Sequence, residues 1–231
     1  MKAGDSIDSG NIDLIDLMRG RIATYRFLGR LYRKEVDQEL LEQLLAMRYP
    51  VKNGNADLDW GYRQMHGYMC TTWERTLTEL AIDYARVFLG NGTNAYAAAY
   101  PFESVHTSPK RLLMNDARDE VVAIYRANGV DKAKDWSEGE DHISLELEFE
   151  TILIERTIAA LEAHDTAAAS ELLETQLRFI KEHLLVWVPM LVAEMQKFAQ
   201  TGFYQALGSM TIGFLDTDKE LLEDLLFGDE K

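Results

Sequence analysis

Apolar residues recur every three or four positions along almost the whole chain, which is the spacing of helices with one buried face. Between Asn11 and Val36 the stripe is Leu14, Met18, Ile22, Tyr25, Leu28 and Tyr32. Gln38 to Arg48 repeats it over a shorter span with Leu40, Leu41, Leu44, Leu45 and Met47. Tyr49 to Asp59, with Pro50, Asn53, Gly54 and Asn55, reads as a polar loop. A weaker helix is predicted over Leu58 to Cys70, and the stretch 53–71 is the nearest thing to a hinge. Thr71-Thr72-Trp73-Glu74 has the form of a capping box, in which Thr71 takes an orphan amide and Glu74 reaches back. The stripe behind it is Trp73, Leu77, Leu80, Tyr84 and Phe88, and Gly90 is a suitable stop.

Asn91 to Thr107 then breaks the periodicity. Ser108-Pro109 predicts a new helix, with serine as N-cap and proline in the first turn, running to Asn128 and ended by Gly129. Val130 to Asp141 is a second polar loop carrying Trp136. A long helix is expected from His142 to His164, and another from Thr166 through Phe198, with a kink or break at Pro189. A short helix from Phe203 to Phe214 and a last one capped by Thr217 with Glu220 complete the chain. No sustained apolar–polar alternation lies between turn signals, so strands are not expected. The pattern predicts an all-α fold, a single helical bundle of about ten helices over residues 1–231, with a long irregular loop before the central helices. The first ten residues or so are expected to be flexible.

Composition narrows the function classes. Asp and Glu number 39 against 24 Lys and Arg, a net charge of −15. Nonspecific nucleic-acid binding needs the opposite balance, so no nucleic-acid partner is expected. A basic partner, or simple solubility, fits better. Cys70 is the sole cysteine, which excludes an internal disulfide framework and a Cys-rich metal site, and it has no activating neighbour in sequence. No apolar run approaches the ~18–20 residues of a membrane span, and the acidic N-terminus has no resemblance to a secretory signal. A cytoplasmic location without stable membrane insertion is expected.

Candidate chemistry is sparse. Glu103-Ser104-Val105-His106 has the Glu-x-x-His spacing of di-iron bundles, but such sites need a second copy and two further carboxylates. His142, Glu146 and Glu150 share a helix face without a second His-bearing face opposite. No phosphate-binding loop, dinucleotide fingerprint or nucleophile elbow occurs. No enzyme activity, metal or cofactor is therefore expected.

Two irregular segments concentrate aromatic, acidic and histidine residues: Asp83 to His106, DYARVFLGNGTNAYAAAYPFESVH, and Glu138 to Phe149, EGEDHISLELEF. Here the sequence resembles the TorD/DmsD family of redox-enzyme maturation chaperones. The resemblance rests on Asp83, Tyr84, Phe88, Gly90, Pro101, Glu103, Ser104 and Val105, then on Glu138, Asp141, His142, Glu146, Leu147 and Phe149, and finally on His183, Leu184, Trp187 and Pro189. Order and spacing agree from about Leu14 to Leu226. Val87 stands where the family usually has leucine, Tyr100 where many members have proline, His106 where they have tyrosine, and Gly139 in place of a proline.

The resemblance implies an all-helical cytoplasmic chaperone that binds the twin-arginine leader of a molybdopterin-containing oxidoreductase, of the dimethyl sulfoxide or trimethylamine N-oxide reductase type. It would hold the catalytic subunit for cofactor insertion before export, as a monomer or homodimer. A leader with a basic patch and then an apolar stretch needs carboxylates beside an aromatic surface. Asp141, Glu103 and Glu138 would supply charge. Tyr84, Phe88, Tyr100, Phe102, Trp73 and Trp136 would supply apolar surface, with His142, Ser104 and Pro101 completing the peptide site. Two other readings stay open: Tyr84 and Phe88 also suit a core stripe, and Asp141 with His142 also suits an N-cap and first-turn pair. A nucleotide-binding or enzymatic helical protein, or a structural helical adaptor, are the rival classes. Guanine-nucleotide binding, suggested for the family, finds no phosphate-cradling loop here.

Overall fold

A computed structural model describes residues 4–50, 52–90, 98–108, 111, 113 and 116–228, with side chains from Asp13 onward. Its α-helices are α1 (Gly4–Arg33), α2 (Gln38–Ala46), α3 (Ala56–Met69), α4 (Thr76–Tyr84), α5 (Glu103–Thr107), α6 (Asp116–Ala127), α7 (Ile143–Glu162), α8 (Thr166–Phe179), α9 (Leu185–Phe198) and α10 (Gly202–Phe227). Two π turns, Ala85–Leu89 and Ile180–Leu184, follow α4 and α8. No strand occurs among the described residues; Phe102 and His142 form an isolated antiparallel bridge. The fold is all-α, as the periodicity predicts.

α1 packs along α7, α3 along α10, and α8 and α9 join α7 and α10 around one continuous apolar core. Trp187, Tyr25, Tyr32, Tyr204, Phe149 and Phe203 are fully buried there. The approach of α3 to α10 is close because Gly61 has no side chain: a Cβ at that position would lie 2.6 Å from Met210 Cγ.

Several expected boundaries move, each for a local reason. The capping box at Thr71 does not form. The Thr71 and Thr72 hydroxyls instead donate back to the Tyr68 and Met69 carbonyls, satisfying the end of α3. α4 begins at Thr76, whose Oγ1 accepts the Trp73 N–H at 2.8 Å. Ser108 is not an N-cap: it ends α5, its N–H donating to the Ser104 carbonyl at 3.2 Å, and the next helix described is α6, over Asp116–Ala127. Pro109 lies outside the described residues, as do 91–97 of the expected irregular stretch, which also contains α5. Pro189 neither breaks nor ends α9; the departure from α geometry is the π turn upstream. The last two expected helices are one, since the Thr217 hydroxyl donates to the Gly213 carbonyl within α10 rather than capping a new start. Helix α1 begins at Gly4, inside the segment expected to be flexible; Met1 to Ala3 lie outside the described residues.

Candidate functional site

The resemblance motifs converge on the junction of α5 with α7. Phe102 is extended on entering α5, and His142, leaving a turn over 139–142, is extended beside it. The Glu103 N–H donates to the Asp141 carbonyl at 3.0 Å and the Ile143 N–H to the Pro101 carbonyl at 2.9 Å, so two segments distant in sequence brace each other. Asp141 Oδ2 accepts the Ser104 N–H at 2.9 Å. Asp141 thus caps α5 across the chain rather than α7, the helix it precedes. His142 caps α7 itself, its Nδ1 accepting the Ser144 N–H at 3.1 Å. The imidazole is neutral: burial, and secondarily the Arg33 charge, lower its pKa to about 3.

Beneath this brace lies a buried acidic centre. The Glu103 carboxylate accepts a hydrogen bond from His183 Nδ1 at 3.1 Å, and Phe179 stacks on that imidazole. Glu146, one turn into α7, accepts the Trp187 indole N–H at 3.0 Å. Burial pushes the Glu146 carboxyl well above the ordinary carboxylate range, and the charges of Glu103 and Asp141 push it further. Glu140, at the edge, is pushed up by burial, but hydrogen bonds from Arg118 at 2.6 Å and Lys132 at 3.1 Å hold it below its ordinary value. Gly139 shapes the rim, because a Cβ there would fall 2.7 Å from Asp141 Oδ1. Among the described residues no group of three or more His, Cys, Asp or Glu could hold a metal ion.

The nine residues expected to touch a peptide separate sharply. Glu103, Ser104, Pro101, Phe102, Asp141 and His142 come together at the junction, all buried. Tyr84 and Phe88 belong to a different place, an aromatic cluster with Tyr32 and Tyr204, where the Tyr84 hydroxyl donates to the Tyr32 carbonyl at 2.9 Å. Their core reading is the one the packing bears out. Glu138 alone is exposed. It lies in the loop beside Trp136, whose ring carries the Arg33 guanidinium 4.9 Å from its centroid.

Sequence reasoning assigned no role to two further buried groups. Asp83, the acid of the Asp-Tyr pair, accepts the Gln200 N–H at 3.0 Å and the Thr201 N–H and hydroxyl at 2.8 and 2.6 Å, and pairs with Arg86. It supplies the N-terminal cap that α10 lacks locally. Arg21 holds Asp218 through two hydrogen bonds of 2.6 and 2.9 Å, with the Tyr25 hydroxyl donating to the same carboxylate at 2.7 Å. Those partners stand 197 and 193 residues apart, beyond any local pattern.

This fold and motif set define a class. The family model described as nitrate reductase delta subunit matches residues 55–193, more than half of the chain, and the chain belongs to that family, the one that includes the TorD chaperones. Among its relatives, the "Chaperone protein TorD" of Vibrio cholerae serotype O1 (strain ATCC 39315 / El Tor Inaba N16961) is 31% identical over 147 residues, 64% of each chain. The proteins of the same name from Shewanella piezotolerans and Shewanella pealeana are 25% and 24% identical, covering 88% and 96% of this chain and 93% and 98% of theirs. The match thus spans a little under two thirds of the Vibrio relative and nearly all of the Shewanella ones. No helix among the described residues is long and apolar enough to cross a membrane.

Proposed function

We propose that the protein is a cytoplasmic maturation chaperone, not an enzyme, that binds the twin-arginine leader of a molybdopterin-containing oxidoreductase of the dimethyl sulfoxide or trimethylamine N-oxide reductase type. It holds the client for cofactor insertion before export. The observation that carries this reading is family membership together with the motif residues themselves. In this chain those from 101–104 and 141–143 form one brace, next to the loop bearing Trp136 and Glu138. Burial divides their roles. Asp141, Glu103, Ser104, His142, Pro101 and Phe102 act by positioning, Tyr84 and Phe88 act in the core, and pairing with leader arginines falls to carboxylates that reach solvent. The net charge of −15 provides them.

Titration calorimetry with a synthetic twin-arginine leader peptide tests the reading. Binding is expected, weakening as salt is added, and falling at least tenfold when both arginines are replaced by glutamine. Equal affinity for the two peptides, or none for either, would overturn it.

A further inference from the structure

Resting on that leader-binding reading, we infer that the leader lies in the surface groove between the N-terminal half of α1 and the C-terminal half of α10. Its apolar stretch fills the groove and its arginines sit on the carboxylates at the groove's end. The two helices run antiparallel, as Tyr32 meets Thr211, Tyr25 meets Phe214, and Arg21 meets Asp218. The hollow between them is about 360 Å³, and Leu17, Gly20, Phe214 and Leu221 give it apolar walls. Leu17 and Leu225 are 39% exposed and Phe227, further along α10, is 52% exposed. Leu17 lines the hollow itself, whereas Leu225 and Phe227 lie beyond it on α10, and an apolar-walled hollow open to solvent is what a docking helix or extended apolar segment covers.

The charge at the groove's end has the sign and order of a leader. Asp16 of α1 lines the hollow, the antiparallel packing sets Asp13 further toward the end of α10, and Glu220, Glu223 and Asp224 line a separate hollow on another face of that helix. Arg19 pairs with Asp16 at 2.9 Å and Lys181 with Glu223 at 3.1 Å; both pairs are solvent-exposed and readily exchanged. Asp13, Glu220 and Asp224 make no ion pair among the described residues. The last turn of α10 contains no basic residue, so its carboxylates stand against the negative end of the helix dipole. A guanidinium arriving there relieves that repulsion. Carboxylates followed by an apolar trough match a basic patch followed by an apolar stretch.

Gly20 makes the inference testable without disturbing the core. A Cβ at Gly20 would meet nothing within 4 Å, so a larger side chain there projects into the groove. Leader titrations use the full-length protein carrying Gly20→Trp, Gly20→Leu, Gly20→Ala or Glu138→Gln, with thermal melts alongside. The expected result is a loss of at least tenfold in affinity for Gly20→Trp, a smaller loss for Gly20→Leu, and little for Gly20→Ala, with melts no lower than wild type. A leader carrying a photo-crosslinking residue in its apolar stretch should label peptides from α1 and α10. If Gly20→Trp and Gly20→Leu bind as wild type while Glu138→Gln loses binding, the groove is not the site and the leader-binding reading stands. If the wild type does not bind the leader at all, that reading fails and the groove assignment fails with it.

Discussion

The α5–α7 junction and the α1–α10 groove use the same residue types to opposite ends. At the junction, Asp141 and Glu146 have no exposed surface and Glu103 has 3%, and each accepts a hydrogen bond from an amide, an indole or an imidazole. Their carboxyls determine how two chain segments meet. At the groove, Asp13, Asp16 and Asp224 stand in water, and the apolar residues beside them are partly uncovered. If the groove holds the leader, recognisable motif residues are the poorer guide to a contact surface. A polar group that many contacts depend on is fixed by the fold, whereas a docking groove requires only rough apolarity and charge, which leave no sharp signature in sequence.

The largest expected effect separates the two regions by stability. Trp187→Ala empties a fully buried site and removes the indole donor from Glu146, so it should cost about 3–5 kcal/mol in urea unfolding. A cost below about 1 kcal/mol, as at a surface position, would break the comparison from the junction side.

Asp141 comes next. Asp141→Ala leaves the buried Ser104 N–H without its acceptor and should cost about 1–3 kcal/mol. Asp141→Asn keeps an acceptor and should recover most of that. Since Asp141 is fully buried, Asp141→Asn should also leave leader affinity nearly unchanged. Titration showing a tenfold loss with an unaltered melt would return Asp141 to the contact surface.

That revision shows what the sequence could convey. Periodicity located the helices because a helix's buried stripe is written within the helix itself: α2, α3 and α7 appear close to where the pattern puts them, and the one helix expected from Thr166 to Phe198 is α8 and α9 joined by a π turn. Boundaries failed where a short polar side chain had two local options. Thr71, Thr72 and Thr217 all bond backward to carbonyls, and nothing nearby distinguishes that from capping forward. The motif residues were legible as a set, yet their burial was not, because it depends on partners such as His183, which is 80 residues from Glu103. The groove was invisible for the same reason, since its walls lie at opposite ends of the chain.

The pH response sharpens the junction further. His142 has its folded pKa lowered to about 3 from 6.5, so the unfolded chain takes up its proton first. Its contribution is complete above 6.5 and is lost as pH falls toward 3, by up to about 1.4 kcal/mol per pH unit. Glu146 has the opposite sign: its pKa is raised, so its contribution is complete below 4.5 and is lost as pH rises. His142→Asn retains an N-cap side chain but does not titrate. It is expected to start less stable at pH 7, having lost the ring contacts to Phe102 and Trp136, and to close the gap to wild type as pH falls to 5. Melts at matched ionic strength would show parallel curves if the imidazole were already charged in the fold.

The smallest expected effect lies at the groove, and its smallness is the point. Leu17 is 39% exposed, and Leu17→Ser removes side-chain surface that the folded chain only partly covers. Stability should change by no more than about 0.5 kcal/mol, the range of an ordinary surface substitution. A leader whose apolar stretch covers Leu17 loses the burial of roughly three carbons there, about 1–2 kcal/mol, or some 5- to 30-fold in affinity. Leu17→Ser should therefore hardly move the melt while clearly weakening leader binding, the reverse of Asp141→Ala with its lowered melt. If unfolding instead costs several kcal/mol, Leu17 belongs to the core and the groove is closed in solution. If both melt and affinity stay at wild-type values, Leu17 is ordinary surface and the contrast between the two regions reduces to burial alone.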